Sequence, residues 1–141
     1  MKTVNYNLIA SHYNQRYKES KLPGITNFLL AACENKSNKS VLEVGCGTGH
    51  WIEIIKTNYP ILSVYGVDFS LEMLKIINPT IKLFGINADA NHIPIKNQKF
   101  DFIFCVNAIH HFDEIEEFIS HSYDLLRSGG IRRTPDYILA E

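Results

Sequence analysis

A chain of 141 residues fits one domain with its own core, and 45% hydrophobic and 21% charged residues are ordinary for a globular protein. The formal net charge of -1 and the lack of a Lys/Arg cluster argue against nucleic acid held by bulk electrostatics. No apolar run is long enough to span a bilayer, and the first residues carry no signal-peptide pattern. We therefore expect a cytoplasmic protein with no membrane and no nucleic-acid partner.

Cysteine usage supports the same location. Cys33, Cys46 and Cys105 are odd in number, widely spaced and set among apolar residues. This pattern is typical of free thiols in a reducing compartment, and it predicts neither a disulfide framework nor a metal site.

Two helices are predicted ahead of the first strand. Apolar residues recur at helical spacing over residues 3–18, with polar side chains at the other positions. Pro23-Gly24 marks a turn or a helix start, after which a second apolar stripe runs to Cys33. We expect residues 1–40 to form a helical cap or flank on the domain that follows.

The stretch VLEVGCGTGHW, from Val41 to Trp51, organises the rest of the chain. Its aliphatic residues predict a central parallel strand that is covered on both faces. The glycines at 45, 47 and 49 predict a tight turn in which a ligand can lie against bare backbone. A helix that begins near Gly49 would point its first N–H groups into that turn. Together these features predict a site for a nucleotide-like cofactor.

Strands and helices alternate after the glycine turn. Strands are predicted at 62–70, 81–89 and 100–112. Helices are predicted after Trp51, from a Ser70 cap to Pro79, and from Asp113 to Leu126, where Ser128-Gly129-Gly130 stops the last one. This alternation predicts parallel βαβ units and hence a doubly wound α/β sheet.

Polar features fall at the carboxyl ends of four successive predicted strands: the glycine turn, Asp68, Asp89 and Asn107. Ligands bind at that edge of an open doubly wound sheet. Asp68 could accept hydrogen bonds from both hydroxyls of a ribose, cap the helix that starts at Ser70, or do both. Asp89 could accept a hydrogen bond from the exocyclic amine of a purine or simply shape a turn.

The glycine spacing discriminates between cofactors. The turn reads G-x-G-x-G, whereas a dinucleotide site requires G-x-G-x-x-G and here would find His50 at its third glycine. The Gly-Lys-Ser/Thr ending of a Walker A loop is also missing. Glu43 would repel a pyrophosphate, but it could help hold a cationic group or orient the loop amides. The better match is a nucleoside without phosphates.

With these motifs the chain resembles class I S-adenosylmethionine-dependent methyltransferases of the small-molecule type. VLEVGCGTGHW resembles the first motif of that family and YGVDFSLEML the second, NADANHIPIKNQKFDFIFCVNAIHHF resembles the third and fourth, and LLRSGGI the approach to the fifth strand. The resemblance covers residues 41–131. It implies a Rossmann-like fold, S-adenosyl-L-methionine as cofactor, and methyl transfer to an O, N or C atom of a small molecule.

The resemblance implies that the methionine part of the cofactor lies on the glycine turn. The implied turn residues are Gly45, Cys46, Gly47, Thr48 and Gly49. Glu43 would lie beneath them, Asn107 would lie near the methionine moiety, and Tyr13 would cover the cofactor from the N-terminal helix.

The adenosine part is implied to lie along the second and third strands. Asp68 would bind the ribose, and Phe69 and Met73 would flank the adenosine. Asp89 and Ala90 would meet the adenine.

The residues on the acceptor side are less specific. His110 and His111 follow the fourth strand, where the methyl acceptor would approach. A histidine there could act as a general base, or both residues could only shape the loop and cap the next helix. No base is obligatory, because methyl transfer from a sulfonium can proceed by alignment alone. The catalytic residues therefore stay unassigned, and Cys105 is expected to be core.

The resemblance ends near Ile131. The family continues there with an aliphatic strand, whereas this sequence continues with Arg132, Arg133, Thr134 and Pro135. We expect residues 132–141 to be an atypical tail of a truncated chain that lacks the last strands of a seven-stranded sheet. The fourth strand would then expose an edge through which the chain could self-associate.

Two other functions remain open. The missing strands favour a non-catalytic module that binds S-adenosylmethionine or a partner. A nicotinamide-dependent oxidoreductase is disfavoured by His50 and by the glycine spacing.

Overall fold

The computed structural model describes residues 4–19, 23–34, 40–97, 100–127 and 139–140. The strands are β1 Ser40–Val44, β2 Ser63–Asp68, β3 Leu83–Asn87, β4 Phe102–Val106 and β5 Leu139–Ala140. The helices are α1 Tyr6–Tyr13, α2 Gln15–Glu19, α3 Pro23–Cys33, α4 His50–Asn58, α5 Leu71–Ile76 and α6 Ile115–Leu125, with a 3₁₀ turn at Ile109–His111. None of these helices combines the length and apolar character that crossing a membrane requires.

The five strands form one parallel sheet in the order β3-β2-β1-β4-β5, which confirms the predicted α/β architecture. Every residue of β1 and β4 is buried, because helices cover both faces of the sheet. On one face Val41 packs in a cluster with Ile52 of α4. On the other face Leu42 packs in a cluster with Phe118 of α6. Alternate residues of one strand thus supply two separate cores.

The parallel register brings the carboxyl ends of the strands to one edge. Val44 is aligned with Val67, and Asp68 is aligned with Asn87. The glycine turn therefore begins where β1 ends, directly beside Asp68. The sequence analysis predicted that these strand ends converge. Their convergence positions the candidate site at the carboxyl edge of the sheet.

Several element boundaries differ from the prediction. The helix expected over residues 3–18 is two helices, because Asn14 ends α1 before α2 begins at Gln15. The fourth strand ends at Val106 rather than near 112, because Asn107 adopts a positive φ of 54° that turns the chain out of the sheet. The third strand ends at Asn87, so Asp89 lies two residues beyond it.

The sequence analysis expected the fourth strand to be the last strand of the sheet, and this expectation was wrong. Leu139 and Ala140 of β5 pair in parallel with Cys105 and Val106, so the edge predicted to be open is covered over these two residues. The predicted helix stop at 128–130 and the arginines and proline at 132–135 lie outside the described residues.

Gly66 and Gly85 are aligned on neighbouring strands and offer a matched test of the packing. A Cβ atom on Gly66 would lie 2.8 Å from Cys46 Sγ and 2.9 Å from Ile52 Cδ1, whereas one on Gly85 would meet no atom within 4 Å. We expect Gly66→Ala to lower the free energy of unfolding by about 1–3 kcal/mol and Gly85→Ala to change it by less than about 0.5 kcal/mol. Urea unfolding curves measure both. Equal losses in the two variants would contradict this account of the core.

Candidate functional site

The glycine turn is built from backbone that side chains cannot replace. Gly45 and Gly47 have φ values of 75° and 53°. A Cβ atom on Gly45 would lie only 2.4 Å from Cβ of Ala108, so the loop that follows β4 packs directly on the turn. A Cβ atom on Gly47 would lie 3.6 Å from the ring of Tyr13, which covers the turn from the N-terminal part of the chain. The turn therefore lies between two segments that are distant in sequence.

The acid of β1 caps α4 from inside the protein. Gly49, the residue before α4, has a φ of 81° and no side chain that could accept from the first turn of the helix. The Glu43 carboxyl group accepts a hydrogen bond from the backbone N–H of Ile52 instead, while its second oxygen, Oε2, has no partner among the described residues. Burial raises the pKa of Glu43 well above its usual value, the charge of Asp68 raises it further, and the Ile52 N–H counteracts both.

Asp68 joins the glycine turn to α5. Its Oδ2 atom accepts a 2.7 Å hydrogen bond from Gly47 N–H, and its Oδ1 atom accepts a 2.8 Å hydrogen bond from Ser70 N–H. Ser70 in turn accepts from Met73 N–H, which confirms it as the helix cap. Burial raises the pKa of Asp68, and the two N–H donors oppose that shift. Each carboxylate oxygen keeps a second lone pair, so Asp68 can still accept two hydroxyl groups.

Phe69 is the most exposed large apolar side chain of the site, with 80% of its surface accessible. Its backbone carbonyl, like that of Asp68, accepts a hydrogen bond from the Asn87 side chain, at 2.9 and 3.0 Å. Met73 is buried beneath, so of the pair expected to flank the adenosine only Phe69 offers an open face. The contact of Met73 with a ligand stays a prediction.

The predicted adenine residues lie further along the edge. Asp89 is exposed, and its Oδ1 atom accepts a 2.8 Å hydrogen bond from Asn91 N–H, so it does shape a turn. Ala90 is buried. A role of either residue in binding stays a prediction.

Beyond β4, the chain presents two histidines. His111 Nε2 is hydrogen-bonded to the Tyr6 hydroxyl, and the two rings pack edge to face with centroids 5.1 Å apart. Burial lowers the pKa of His111, and the charges of His110 and Arg16 lower it further. These shifts favour the neutral form of His111. Asn107, which was predicted to lie near the methionine moiety, is half-buried at the start of this segment.

Helix α1 and Asn14, the residue that ends it, lie across the site and contact segments that follow three strands. Asn7 Oδ1 accepts a 2.5 Å hydrogen bond from Ser70 after β2, and Asn14 Oδ1 accepts one from Thr48 in the turn after β1. Tyr6 supplies the third contact, to the segment after β4. The sequence analysis did not identify Tyr6, Asn7 or Asn14. Their signal was the seven-residue spacing of the two asparagines, which places both on one helix face.

The remaining turn residues, Cys46 and Thr48, are buried. Cys46 is buried against Gly66, and Thr48 is buried beneath Asn14. Beside them the Tyr17 ring stacks on His50 with centroids 3.8 Å apart. Helices α1 and α2 thus cover the turn that holds most of the predicted cofactor residues.

Comparison with known proteins identifies the family. A sequence model of methyltransferase domains matches residues 41–130. The tRNA (carboxymethyluridine(34)-5-O)-methyltransferase of Saccharomyces cerevisiae is 35% identical over 133 residues, which cover 89% of this chain and 43% of the yeast protein. Malonyl-[acyl-carrier protein] O-methyltransferase of Hamiltonella defensa is 30% identical, over 93% of this chain and 52% of that enzyme.

A solved structure agrees with this assignment. The plantazolicin methyltransferase BpumL, in complex with a triazolic desmethylPZN analog and SAH, superposes with a TM-score of 0.67 at 26% identity. The match covers 84% of this chain and 48% of BpumL. The chain thus spans about half the length of the proteins it matches.

The burial of Glu43 predicts an unusual pH dependence of stability. Its pKa is raised in the folded state, so the folded protein binds more protons than the unfolded chain once the pH exceeds about 4.5. Rising pH should therefore destabilise the wild type, by about 1.4 kcal/mol for each pH unit between the two pKa values. Glu43→Gln should remove this loss while keeping an oxygen for the Ile52 N–H. Thermal unfolding between pH 5 and 8 measures the difference.

The matched control is Glu117→Gln, because Glu117 is exposed on α6. This variant should keep the pH profile of the wild type. Parallel profiles for all three proteins would show that Glu43 is ionised at the same pH in the folded and unfolded states.

Proposed function

We propose that the chain, which belongs to the family of methyltransferase domains, binds S-adenosylmethionine at the carboxyl edge of its sheet and transfers the methyl group to an oxygen atom of an acceptor. The observation that carries the proposal is Asp68, whose carboxylate fixes the glycine turn and keeps two lone pairs free beside the exposed Phe69. When bound, S-adenosylmethionine supplies a methyl carbon activated by a positively charged sulfur.

The residues of the site fit this cofactor. Asp68 would accept the two ribose hydroxyls, and the exposed ring of Phe69 would pack on the adenine. The backbone of Gly45 and Gly47, which has no Cβ atoms to interfere, would lie along the amino-acid chain. Burial raises the pKa of Glu43, and a cationic group bound at the turn would lower it again, so the unpartnered Oε2 atom beneath the turn favours a cationic ligand over a phosphate.

The chain's own contribution to the reaction is mainly orientation. Helix α1 covers the glycine turn and excludes water from it, and the ends of β1, β2 and β4 fix the direction from which an acceptor approaches. For a hydroxyl acceptor, the imidazole of His111 can take up the proton at Nδ1 when its Nε2–H donates to the Tyr6 hydroxyl, which holds the ring. A carboxylate acceptor needs no base, because it is already ionised at neutral pH.

We propose a small molecule as the acceptor. Both curated relatives are O-methyltransferases, and this supports oxygen over nitrogen or carbon. The second candidate acceptor is tRNA, which the yeast relative modifies and which its 35% identity favours. The net charge of -1 favours the small molecule, because binding to a polyanion gains affinity from Lys and Arg side chains. The three free cysteines support a cytoplasmic location.

Replacement of Asp68 tests the cofactor site. Asp68→Asn keeps the size of the side chain but removes its charge and half of its acceptors, so the affinity for S-adenosylhomocysteine should fall by about 1.5–3 kcal/mol, or roughly 10- to 150-fold. Titration calorimetry measures the affinity, and circular dichroism checks that the variant folds. Glu72→Gln, which removes an exposed carboxylate from α5, should leave the affinity unchanged. Unchanged affinity in a folded Asp68→Asn protein would show that Asp68 only joins the glycine turn to the start of α5.

A labelled-cofactor assay tests the acceptor. The chain is incubated with methyl-labelled S-adenosylmethionine and either a panel of small hydroxy and carboxylic acids or total tRNA. We expect the label in the small-molecule fraction, as a base-labile methyl ester of a carboxylic acid or as a methyl ether of a hydroxy acid. We expect no label in material that nuclease digests. Label that nuclease releases from tRNA would favour the second candidate. If the cofactor binds but no acceptor is labelled, the chain is a non-catalytic cofactor-binding module.

A further inference from the structure

Strand β3 forms one edge of the sheet, because β2 is its only neighbour among the described strands. Its five residues, Leu83–Asn87, include no charged residue and no proline, and they pair with β2 in unbroken register. An edge strand presents a row of backbone N–H and C=O groups that the sheet itself does not pair. Natural proteins usually protect such an edge with charges, proline or a bulge, and β3 has none of these between its ends.

An exposed aromatic side chain accompanies this open backbone. Phe84 is 57% exposed, although its ring stacks on Tyr65 of β2 with the centroids 4.6 Å apart. Ile86, on the same face of the sheet, is half-buried against the core. Between them Gly85 is exposed, and a Cβ atom there would meet no atom within 4 Å. The edge therefore has both an apolar surface and room for a further strand.

The sequence of this edge is complementary to itself. If two β3 strands pair in antiparallel orientation about Gly85, all five residues of each strand are paired, and Phe84 of one copy lies opposite Ile86 of the other. The two-fold axis makes this apolar pair occur twice. Gly85 then lies opposite Gly85 of the second copy, where the absence of side chains permits close approach of the two backbones.

The charges at the two ends of the strand fit the same arrangement. Lys82 precedes β3 and Asp89 follows it, and both side chains are exposed. An antiparallel second copy brings Lys82 of each strand to the end of the other strand, where Asp89 follows. Opposite charges therefore meet at both ends of the pair, whereas parallel pairing of two copies would bring like charges together.

We propose that β3 is an interface at which two copies of this chain pair in antiparallel orientation and join their sheets. The sequence analysis expected self-association at the fourth strand, but β5 covers that edge over two residues. Five paired residues make a small interface, so we expect a transient dimer that forms at high protein concentration. Its formation requires no cofactor and is therefore independent of the proposed methyl transfer.

Analytical ultracentrifugation of the whole chain tests the dimer. We expect a monomer–dimer equilibrium within about 10–500 µM protein. Phe84→Gln should raise the dissociation constant by roughly tenfold or more, because the apolar pair with Ile86 is lost twice. Phe28→Gln is the matched control, since Phe28 is 55% exposed on α3, and it should change the constant by less than about twofold. Circular dichroism checks that each variant folds.

Cysteine cross-linking tests the register. Residues opposite each other in an antiparallel pair have Cα atoms about 4.5–5.5 Å apart, which a disulfide can bridge, whereas diagonal neighbours are about 7–8 Å apart. With oxidised glutathione, Gly85→Cys should therefore form a disulfide-linked dimer at least about tenfold faster than Phe84→Cys or Phe28→Cys. The native cysteines are buried, so they contribute little background.

Charge reversal tests the ends of the interface. Lys82→Glu should raise the dissociation constant by at least about threefold, because two acids then meet at each end of the pair. The double variant Lys82→Glu/Asp89→Lys exchanges the two charges and should restore the wild-type constant. A double variant that is as weak as Lys82→Glu would contradict a contact between these residues.

Other results would overturn the proposal. A wild-type chain that stays monomeric at the highest concentration would leave the edge to a strand of a different protein. A dimer that persists in Phe84→Gln would assign self-association to another surface. Equal cross-linking rates for Gly85→Cys and Phe84→Cys would rule out antiparallel pairing about Gly85.

Discussion

The site depends on one carboxylate with two backbone partners. Asp68 binds the N–H of Gly47 with one oxygen and the N–H of Ser70 with the other, so a single side chain fixes the glycine turn relative to α5. Burial alone would favour the protonated form of this group, and the two N–H donors preserve its capacity to be charged. The turn after β1 and the helix after β2 are consequently joined by one side chain, and a ligand that binds Asp68 meets a site that is already formed.

The parts of the fold that follow from local sequence were predictable. The aliphatic run before Gly45 and the acid at Asp68 fixed a central strand and its neighbour, because a buried parallel strand and its ligand-binding end both leave a clear pattern. Ser70 was recognisable as a cap because capping requires only a hydroxyl at the right position. The glycine turn was predictable for the same reason, since its positive φ values restrict the residue type.

The rest of the site depends on contacts that sequence patterns do not show. Asn7 and Asn14 were predicted only as polar positions of an amphipathic helix, because periodicity distinguishes polar from apolar faces but does not identify a polar partner. Asn14 bonds Thr48 and breaks the helix, two roles that only the folded chain reveals. Asn107 was placed at the carboxyl end of the fourth strand, but the predicted stretch ran on to residue 112 because the apolar residues after Asn107 hide the left-handed turn. The pairing of β5 with β4 was missed because two residues are too few for any period.

Helix α1 has a consequence for how the protein assembles. Tyr6 and Asn7 of α1, together with Asn14 that ends it, contact residues that are 105, 63 and 34 positions away in sequence. Each such contact closes a long loop of chain, so its entropic cost is met only after β1, β2 and β4 are already in place. We therefore expect the cover of the turn to be among the last parts to form and the first to open. A ligand held beneath α1 would draw its affinity partly from completing the fold, and its binding would register as thermal stabilisation of the N-terminal helices.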